Sequence, residues 1–217
     1  MGQPYQAVIL DLDNCICDAR EPGADLFAPA FDAICSANNG HVPDDRLQAA
    51  FGECWFTSFD LVARRYGFTK EMYEAGFAVF SRLEGQKPLH GYADLPVLPG
   101  LSIDKYLVTT GFRRLQDSKV RALGIAPWFR KVVIDAVGVP RHRGKQAIFA
   151  DLLAEGGYEP DRVLAVGDNP LSELAAGKAL GMVTVQTLRP RVQKAQADFH
   201  IRSFDALAEL IRRGTPD

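Results

Sequence analysis

The chain has 217 residues, of which 47% are hydrophobic and 24% charged, as in a globular protein that buries a core. The formal net charge is −2 and charges of both signs are scattered along the chain, which excludes the basic surface that nucleic acid or an anionic membrane would attract. No stretch approaches the roughly 20 apolar residues of a membrane span, and the N-terminus lacks the pattern of a signal peptide. We therefore expect a cytoplasmic protein.

The first predicted element is a buried strand. Residues 7–10 are continuously apolar and end at Asp11, as in a strand buried on both faces of a parallel sheet. Asp11 and Asp13 follow, and alternation along extended backbone would aim both carboxylates to one side, roughly 6 to 7 Å apart. Such a pair repels unless a hard cation with oxygen ligands neutralises it, and Mg²⁺ is the natural choice beside a phosphate.

Residues 22–83 show helical periodicity and no strand signal. Breaks at Asn39-Gly40 and Gly67, with helix starts near Asp44 and Thr69, predict three or four helices. Prolines and glycines between Lys87 and Gly100 end this block and predict a domain boundary. Aromatic residues at helical spacing usually pack against neighbouring helices, so we expect a core rather than substrate contacts from Trp55, Phe56, Phe59, Phe77 and Phe80.

From residue 106 onwards strands and helices alternate, which predicts a doubly wound α/β domain with a parallel sheet. The predicted strands are 106–108, 132–134, 163–166, 183–185 and 199–201, and the predicted helices are 115–123, 146–155, 172–180 and 204–213. Such sheets bind ligands outside the carboxyl ends of their strands. The residues placed there include Thr109-Thr110-Gly111 and Gly167-Asp168-Asn169, while Lys145 precedes a later helix.

These residue types suit phosphoryl transfer. One aspartate can attack phosphorus while the other protonates the leaving oxygen and later deprotonates water. Asp168 adds a third carboxylate, and Thr109, backbone N–H groups and the ammonium of Lys145 suit the oxygens of the transferring group. Each motif alone is more often a turn or a helix cap, and the functional interpretation depends on their coincidence at strand ends.

The order and spacing of four motifs resemble the haloacid dehalogenase superfamily, near its phosphoglycolate phosphatase-like and pyrimidine nucleotidase-like members. The motifs are residues 11–15, 107–111, 144–145 and 166–173. The resemblance implies a Rossmann-like α/β hydrolase core formed by residues 1–17 and 95–217. It also implies a small helical cap, residues 18–94, inserted between the first and second motifs.

By that resemblance Asp11 is the nucleophile and Asp13 the general acid and base. Thr109, Thr110 and Gly111 bind the phosphoryl group. Lys145 neutralises negative charge in the site, and both Thr109 and Lys145 count among the catalytic and the phosphate-binding residues. Magnesium would be held by Asp11, the backbone carbonyl of Asp13 and Asp168, with Glu173 and Asn169 as further candidates for its shell. For Glu173 the alternative is a first-turn helix acid favoured by the helix dipole.

The resemblance implies a magnesium-dependent phosphatase of a small phosphorylated metabolite, because dehalogenase members lack the second aspartate and phosphonatase members carry alanine there. The partner would be a small-molecule phosphate ester, and the chain a monomer or homodimer. The alternatives are a phosphomutase and a non-catalytic phospho-ligand-binding regulator. The sequence departs from the usual motifs at Cys15, Thr110, Gln146 and Glu173.

Overall fold

The first strand lies where the sequence predicts it. In the computed structural model, which describes residues 5–85, 88–138 and 143–213, β1 spans Ala7–Leu10 and is buried along its whole length. Lys87, in the predicted breaker segment, lies outside the described residues. Residues 95–100 of that segment form a 3₁₀ turn with proline at its start, which confirms that regular helix ends before them.

Four helices follow β1 within the described residues, which settles the predicted three or four. They are α1 (Ala28–Asn38), α2 (Asp44–Glu53), α3 (Phe59–Tyr66) and α4 (Lys70–Phe80). α1 and α3 end at Asn39 and Gly67 in the left-handed conformation, and the Thr69 side chain accepts a hydrogen bond from the N–H of Met72. The predicted breaks and starts are therefore confirmed.

The aromatic residues of this helical segment form a core, as the periodicity predicts. Trp55, Phe59 and Phe80 are buried in one apolar cluster, and Phe56 and Phe77 pack against it partly buried. Stacked and edge-to-face rings hold the cluster together, for example Phe80 on Phe112 of the following α/β region, with centroids 5.1 Å apart. This packing attaches the helical segment to the rest of the chain.

The alternating second part is confirmed element by element. It comprises β2 (Asp104–Gly111), α5 (Arg113–Leu123), β3 (Lys131–Ala136), α6 (Gly144–Gly156), β4 (Val163–Gly167), α7 (Glu173–Ala179), β5 (Val183–Thr187), β6 (Phe199–Ile201) and α8 (Phe204–Arg213). Two placements change. Thr109, Thr110 and Gly111 belong to the end of β2 because its pairing with β3 continues to Gly111, and Lys145 lies inside the first turn of α6.

The strands form one parallel sheet in the order β3-β2-β1-β4-β5-β6 among the described residues. Alternate residues of β1 enter different apolar clusters: Val8 and Leu10 pack with residues of α8, and Ala7 and Ile9 pack with residues of α6. Helices therefore cover both faces, which confirms the doubly wound fold. The strand order reverses at β1, so the crevice beside Asp11 is where such a sheet binds ligands.

Candidate active site

Asp11 continues directly from β1 into the crevice. Its backbone N–H donates to the carbonyl of Val166 at 2.9 Å, so the β1–β4 ladder fixes the backbone on which the carboxylate stands. The residue is 8% exposed. Its Oδ1 lies 2.8 Å from Nζ of Lys145. The predicted nucleophile is thus held by a central strand and paired with the predicted lysine.

Lys145 bridges two carboxylates. Besides Asp11 it contacts Oε2 of Glu173 at 2.7 Å, and both Lys145 and Glu173 are buried. The start of α6 is fixed by Asp135, whose carboxylate accepts the N–H groups of Arg143 at 3.3 Å and Gly144 at 3.1 Å. Burial lowers the pKa of Lys145, but Asp11 and Glu173 outweigh it and raise that pKa above its ordinary value.

Glu173 is the first residue of α7, yet it lies 1% exposed inside the site. Its second oxygen, Oε1, accepts the backbone N–H of Asn169 at 2.6 Å. A Cβ on Gly167 would come within 2.3 Å of that oxygen, so the glycine at the end of β4 makes room for the carboxylate. Protein donors therefore engage both Glu173 oxygens, and the residue is at once in the first turn of α7 and beside Lys145.

Asp168 completes a buried acidic cluster at the end of β4. Carboxylate oxygens of Asp11, Asp168 and Glu173 all lie within 4.8 Å of one another. Burial raises the pKa of Asp168 to about 9, with repulsion from Glu173 and Asp11 adding to it. Burial also raises the pKa of Asp11 to about 7, against the lowering effect of Lys145. One ammonium thus faces three carboxylates, and this all-oxygen donor set fits a hard divalent cation.

Asp13 lies in the same cavity as Asp11 but has different partners. β1 has ended, and Asp13 enters a tight turn in which Asn14 adopts φ 55° and Ile16 donates to the carbonyl of Leu12 at 2.9 Å. The Asp13 carboxylate accepts hydrogen bonds from Lys119 Nζ at 2.6 Å and from Gln116 Nε2 at 2.9 Å. Because β1 ends at Leu10, the alternation of side chains along a strand does not set the direction of the Asp13 side chain.

The other predicted residues also meet at this edge of the sheet. Thr109, Thr110 and Gly111 line the cavity, and Oγ1 of the buried Thr109 accepts a hydrogen bond from Gln116 at 2.6 Å. The Asn169 amide donates to the carbonyl of Phe56 at 2.8 Å, and its Oδ1 accepts the N–H of Leu171 at 2.9 Å. Its amide thus connects β4 to the helical segment.

A cavity of about 660 Å³ lies over these groups. The α/β region contributes the carboxylates to the lining, and the helical segment contributes Trp55, Phe56 and Phe59. Acidic, basic and aromatic side chains therefore line the same cavity. A cavity of this size with a mixed polar and apolar lining suits a small molecule.

Three further polar residues line the cavity that the sequence did not predict there, Gln116, Lys119 and Asp135. The predicted helix at 115–123 already placed the first two three residues apart, on one helix face. Charged and amide residues on a helix ordinarily face water, so the sequence did not indicate that Gln116 and Lys119 are buried. Cys15, noted as a departure, is buried, and burial raises the pKa of its thiol above the ordinary value, which keeps it neutral.

Comparison with protein families identifies the chain. A family model described as haloacid dehalogenase-like hydrolase matches residues 5–181. The chain is a haloacid dehalogenase-like hydrolase. The predicted resemblance is thereby confirmed. No curated protein matches this hydrolase. Among its described residues, no helix combines the length and hydropathy needed to cross a membrane.

Solved structures support the fold of this hydrolase. A predicted phosphoglycolate phosphatase from Haemophilus somnus is 15% identical, with a TM-score of 0.68 and coverage of 97% of this chain and 99% of the other. L-2-haloacid dehalogenase from Xanthobacter autotrophicus is 14% identical, with a TM-score of 0.59 and coverage of 97% and 100%. A magnesium-bound HAD hydrolase from Bacillus subtilis is 17% identical, with a TM-score of 0.59 and coverage of 95% and 98%. At these identities the likeness concerns the fold.

The raised pKa values of Asp11 and Asp168 predict how pH and Mg²⁺ affect stability. Both pKa values exceed the ordinary 3.8, so the folded protein retains protons that the unfolded chain has released, and stability of the metal-free hydrolase falls as pH rises towards 9. Cation binding requires the ionised carboxylates, so we expect Mg²⁺ to stabilise the hydrolase more at about pH 8 than at about pH 6. At a concentration of about 100 times Kd the gain is about 2.7 kcal/mol.

Thermal unfolding in MgCl₂ and in EDTA at the two pH values measures this effect. Asp168→Asn should lose most of the stabilisation by Mg²⁺, whereas Asp205→Asn, which changes an exposed acid at the start of α8, should keep it. An equal shift of melting temperature by Mg²⁺ in wild type and Asp168→Asn would show that the acidic cluster does not bind the ion.

Proposed function

We propose that this hydrolase is a magnesium-dependent phosphatase that hydrolyses a small phosphorylated metabolite through an aspartyl-phosphate on Asp11. The observation that carries the proposal is the presence of two carboxylates in one cavity with separate partners. Asp11 is buried against Lys145, and Asp13 is held by Lys119 and Gln116 while its side chain stays 24% exposed. Different environments for two acids suit different roles in one reaction.

In the first half of the reaction a carboxylate oxygen of Asp11 attacks phosphorus. The bond between phosphorus and the ester oxygen breaks, and Asp13 gives its proton to that oxygen as it leaves. Thr109, Thr110 and Gly111 are proposed to donate hydrogen bonds to the phosphoryl oxygens, and Lys145 to offset their charge. In the second half Asp13 takes a proton from the water that attacks the aspartyl-phosphate, which releases phosphate and restores Asp11.

Residues Asp11, Asp168 and the backbone carbonyl of Asp13 are proposed to hold Mg²⁺, which when bound supplies positive charge beside the phosphate. The oxygens of Glu173 are engaged by Lys145 and the Asn169 N–H, and the Asn169 amide by Phe56 and Leu171. Those contacts favour a supporting role for both, as groups that orient the site. The B. subtilis neighbour, described as bound to magnesium, gives the proposal further support.

Residues 18–94 are proposed to act as a cap on a core made of residues 1–17 and 95–217. The cavity supports this division, since its lining includes both Trp55 and Phe56 of the helical segment and the carboxylates of the α/β region. The hydrogen bond from Asn169 to the Phe56 carbonyl joins the two regions beside the site. A cover of this kind excludes bulk water during transfer, which protects the aspartyl-phosphate and strengthens electrostatic contacts.

Release of inorganic phosphate from p-nitrophenyl phosphate by the purified protein tests the function. We expect nitrophenolate and phosphate in equal amounts with Mg²⁺, and neither above background in EDTA. A panel of metabolite phosphates then identifies the natural leaving group. Halide release from a 2-haloacid without any phosphate release would make the protein a dehalogenase. Transfer of phosphate within the substrate would indicate a mutase, and binding of phosphate esters without turnover a regulator.

A further inference from the structure

Helix α5 directs two buried polar side chains at one carboxylate. Gln116 and Lys119 are each 2% exposed and lie one turn apart on the helix. Gln116 Nε2 donates to Oδ2 of Asp13 and Lys119 Nζ to Oδ1, so the two oxygens are held by separate donors. Two fixed donors define the plane of a carboxylate as well as its position.

Burial of the Lys119 ammonium costs free energy, and its ion pair with the Asp13 carboxylate offsets that cost. Lys119 is buried while its partner Asp13 keeps 24% of its side chain exposed to the cavity. The buried Lys119 and Gln116 side chains therefore hold the carboxylate, while its exposed part faces the cavity. Asp11 and the proposed phosphate-binding residues line the same cavity. A salt bridge that served only to join α5 to the turn after β1 would not need an open face on the cavity.

Gln116 extends the same arrangement to the phosphate-binding strand. Its Nε2 also donates to Thr109 Oγ1 at 2.6 Å. The Gln116 amide therefore connects Thr109, at the end of β2, with the side chain of Asp13. In the proposed reaction Thr109 binds the phosphoryl group and Asp13 contacts the ester oxygen, the two sides of the bond that breaks. Misplacement of a reacting group by about 1 Å can cost about a hundredfold in rate, so a rigid link between them has a direct catalytic consequence.

We propose that Lys119 and Gln116 are positioning residues that hold the Asp13 carboxyl group against the leaving oxygen of the substrate. This inference depends on the proposed phosphatase function. Asp13 donates its proton to the ester oxygen as the bond to phosphorus breaks, and the bonding electron pair leaves with that oxygen. Lys119 and Gln116 neither gain nor lose a proton; they keep Asp13 in place for the transfer.

The test compares two esters that differ in their need for a proton. Nitrophenolate leaves readily as an anion, whereas phenolate is more basic and depends more on protonation. For Lys119→Met we expect kcat/KM to fall about tenfold to a hundredfold with phenyl phosphate, and less than about threefold with p-nitrophenyl phosphate. Gln116→Leu also removes the hydrogen bond to Thr109, so we expect a loss with both esters and a larger loss with phenyl phosphate. A purely structural defect would lower both values by the same factor, because it does not distinguish leaving groups.

Arg121→Met is the matched control, since it replaces an exposed cation on the same helix, and it should leave both values unchanged. Circular dichroism and thermal unfolding establish that each variant is folded, and Gln116→Leu decides the question if Lys119→Met does not fold. Equal losses on the two esters, or no loss, would overturn the positioning role while wild-type turnover upheld the phosphatase. Absence of wild-type turnover on both esters would instead remove the function and the inference together.

Discussion

Asp11→Asn is expected to lower kcat for phosphate release by about 10⁴-fold or more, because an amide cannot replace the carboxylate oxygen that forms the aspartyl-phosphate. The substitution keeps the shape of the side chain, so the packing around β1 should survive. It also removes one of three clustered carboxylates, and burial already raises the pKa of Asp11 to about 7. We therefore expect the metal-free variant to unfold at the same temperature as wild type or higher.

Steady-state phosphate release and thermal unfolding measure the two halves of this prediction. Asp32→Asn makes the same chemical change on the exposed face of α1 and should leave the rate unaltered. Turnover in Asp11→Asn equal to that of wild type would disprove the covalent mechanism. A loss of rate accompanied by a large loss of stability would point to a structural role for Asp11.

Lys145→Met is expected to destabilise the metal-free protein by about 3 to 5 kcal/mol near neutral pH, because it leaves buried carboxylates without their counter-charge. Lys145 Nζ lies 2.8 Å from Asp11 and 2.7 Å from Glu173, and all three are buried. The cost should shrink as pH falls below about 7, since Asp11, whose pKa burial raises to about 7, takes up a proton there and loses the charge that needs compensation. We also expect kcat to fall about a hundredfold or more.

Urea unfolding at several pH values measures the free energy of unfolding of Lys145→Met. Lys131→Met is the matched control because Lys131 pairs with Glu155 at 2.8 Å on the surface, where both side chains are about half exposed. Such pairs contribute about 0 to 1 kcal/mol. If the two variants lost the same free energy, the buried ion pair with Asp11 would not stabilise the site.

Much of the fold was predictable from local patterns. A continuous apolar run predicted β1, and the alternation of strand-like and helix-like hydrophobic periodicity predicted the elements from β2 to α8. Asn39 and Gly67 predicted helix ends, because these residue types readily adopt the left-handed backbone conformation found there. The strand ends could then be placed at one edge of a parallel sheet, which brought Asp11, Thr109 and Asp168 together. The structure differs from the prediction only at some element ends. Residues 109–111 belong to β2 because their backbone pairs with β3 up to Ala136.

The sequence alone determined the identity and order of the chemical groups and the fold that carries them, because hydrophobic period and turn chemistry are local properties. Only the tertiary structure decided their partners: Lys145 between Asp11 and Glu173, and Lys119 with Gln116 on Asp13. The reason is that burial of a polar side chain depends on what packs over it from distant parts of the chain. Once buried, such a group must find an opposite charge or a hydrogen-bond donor there.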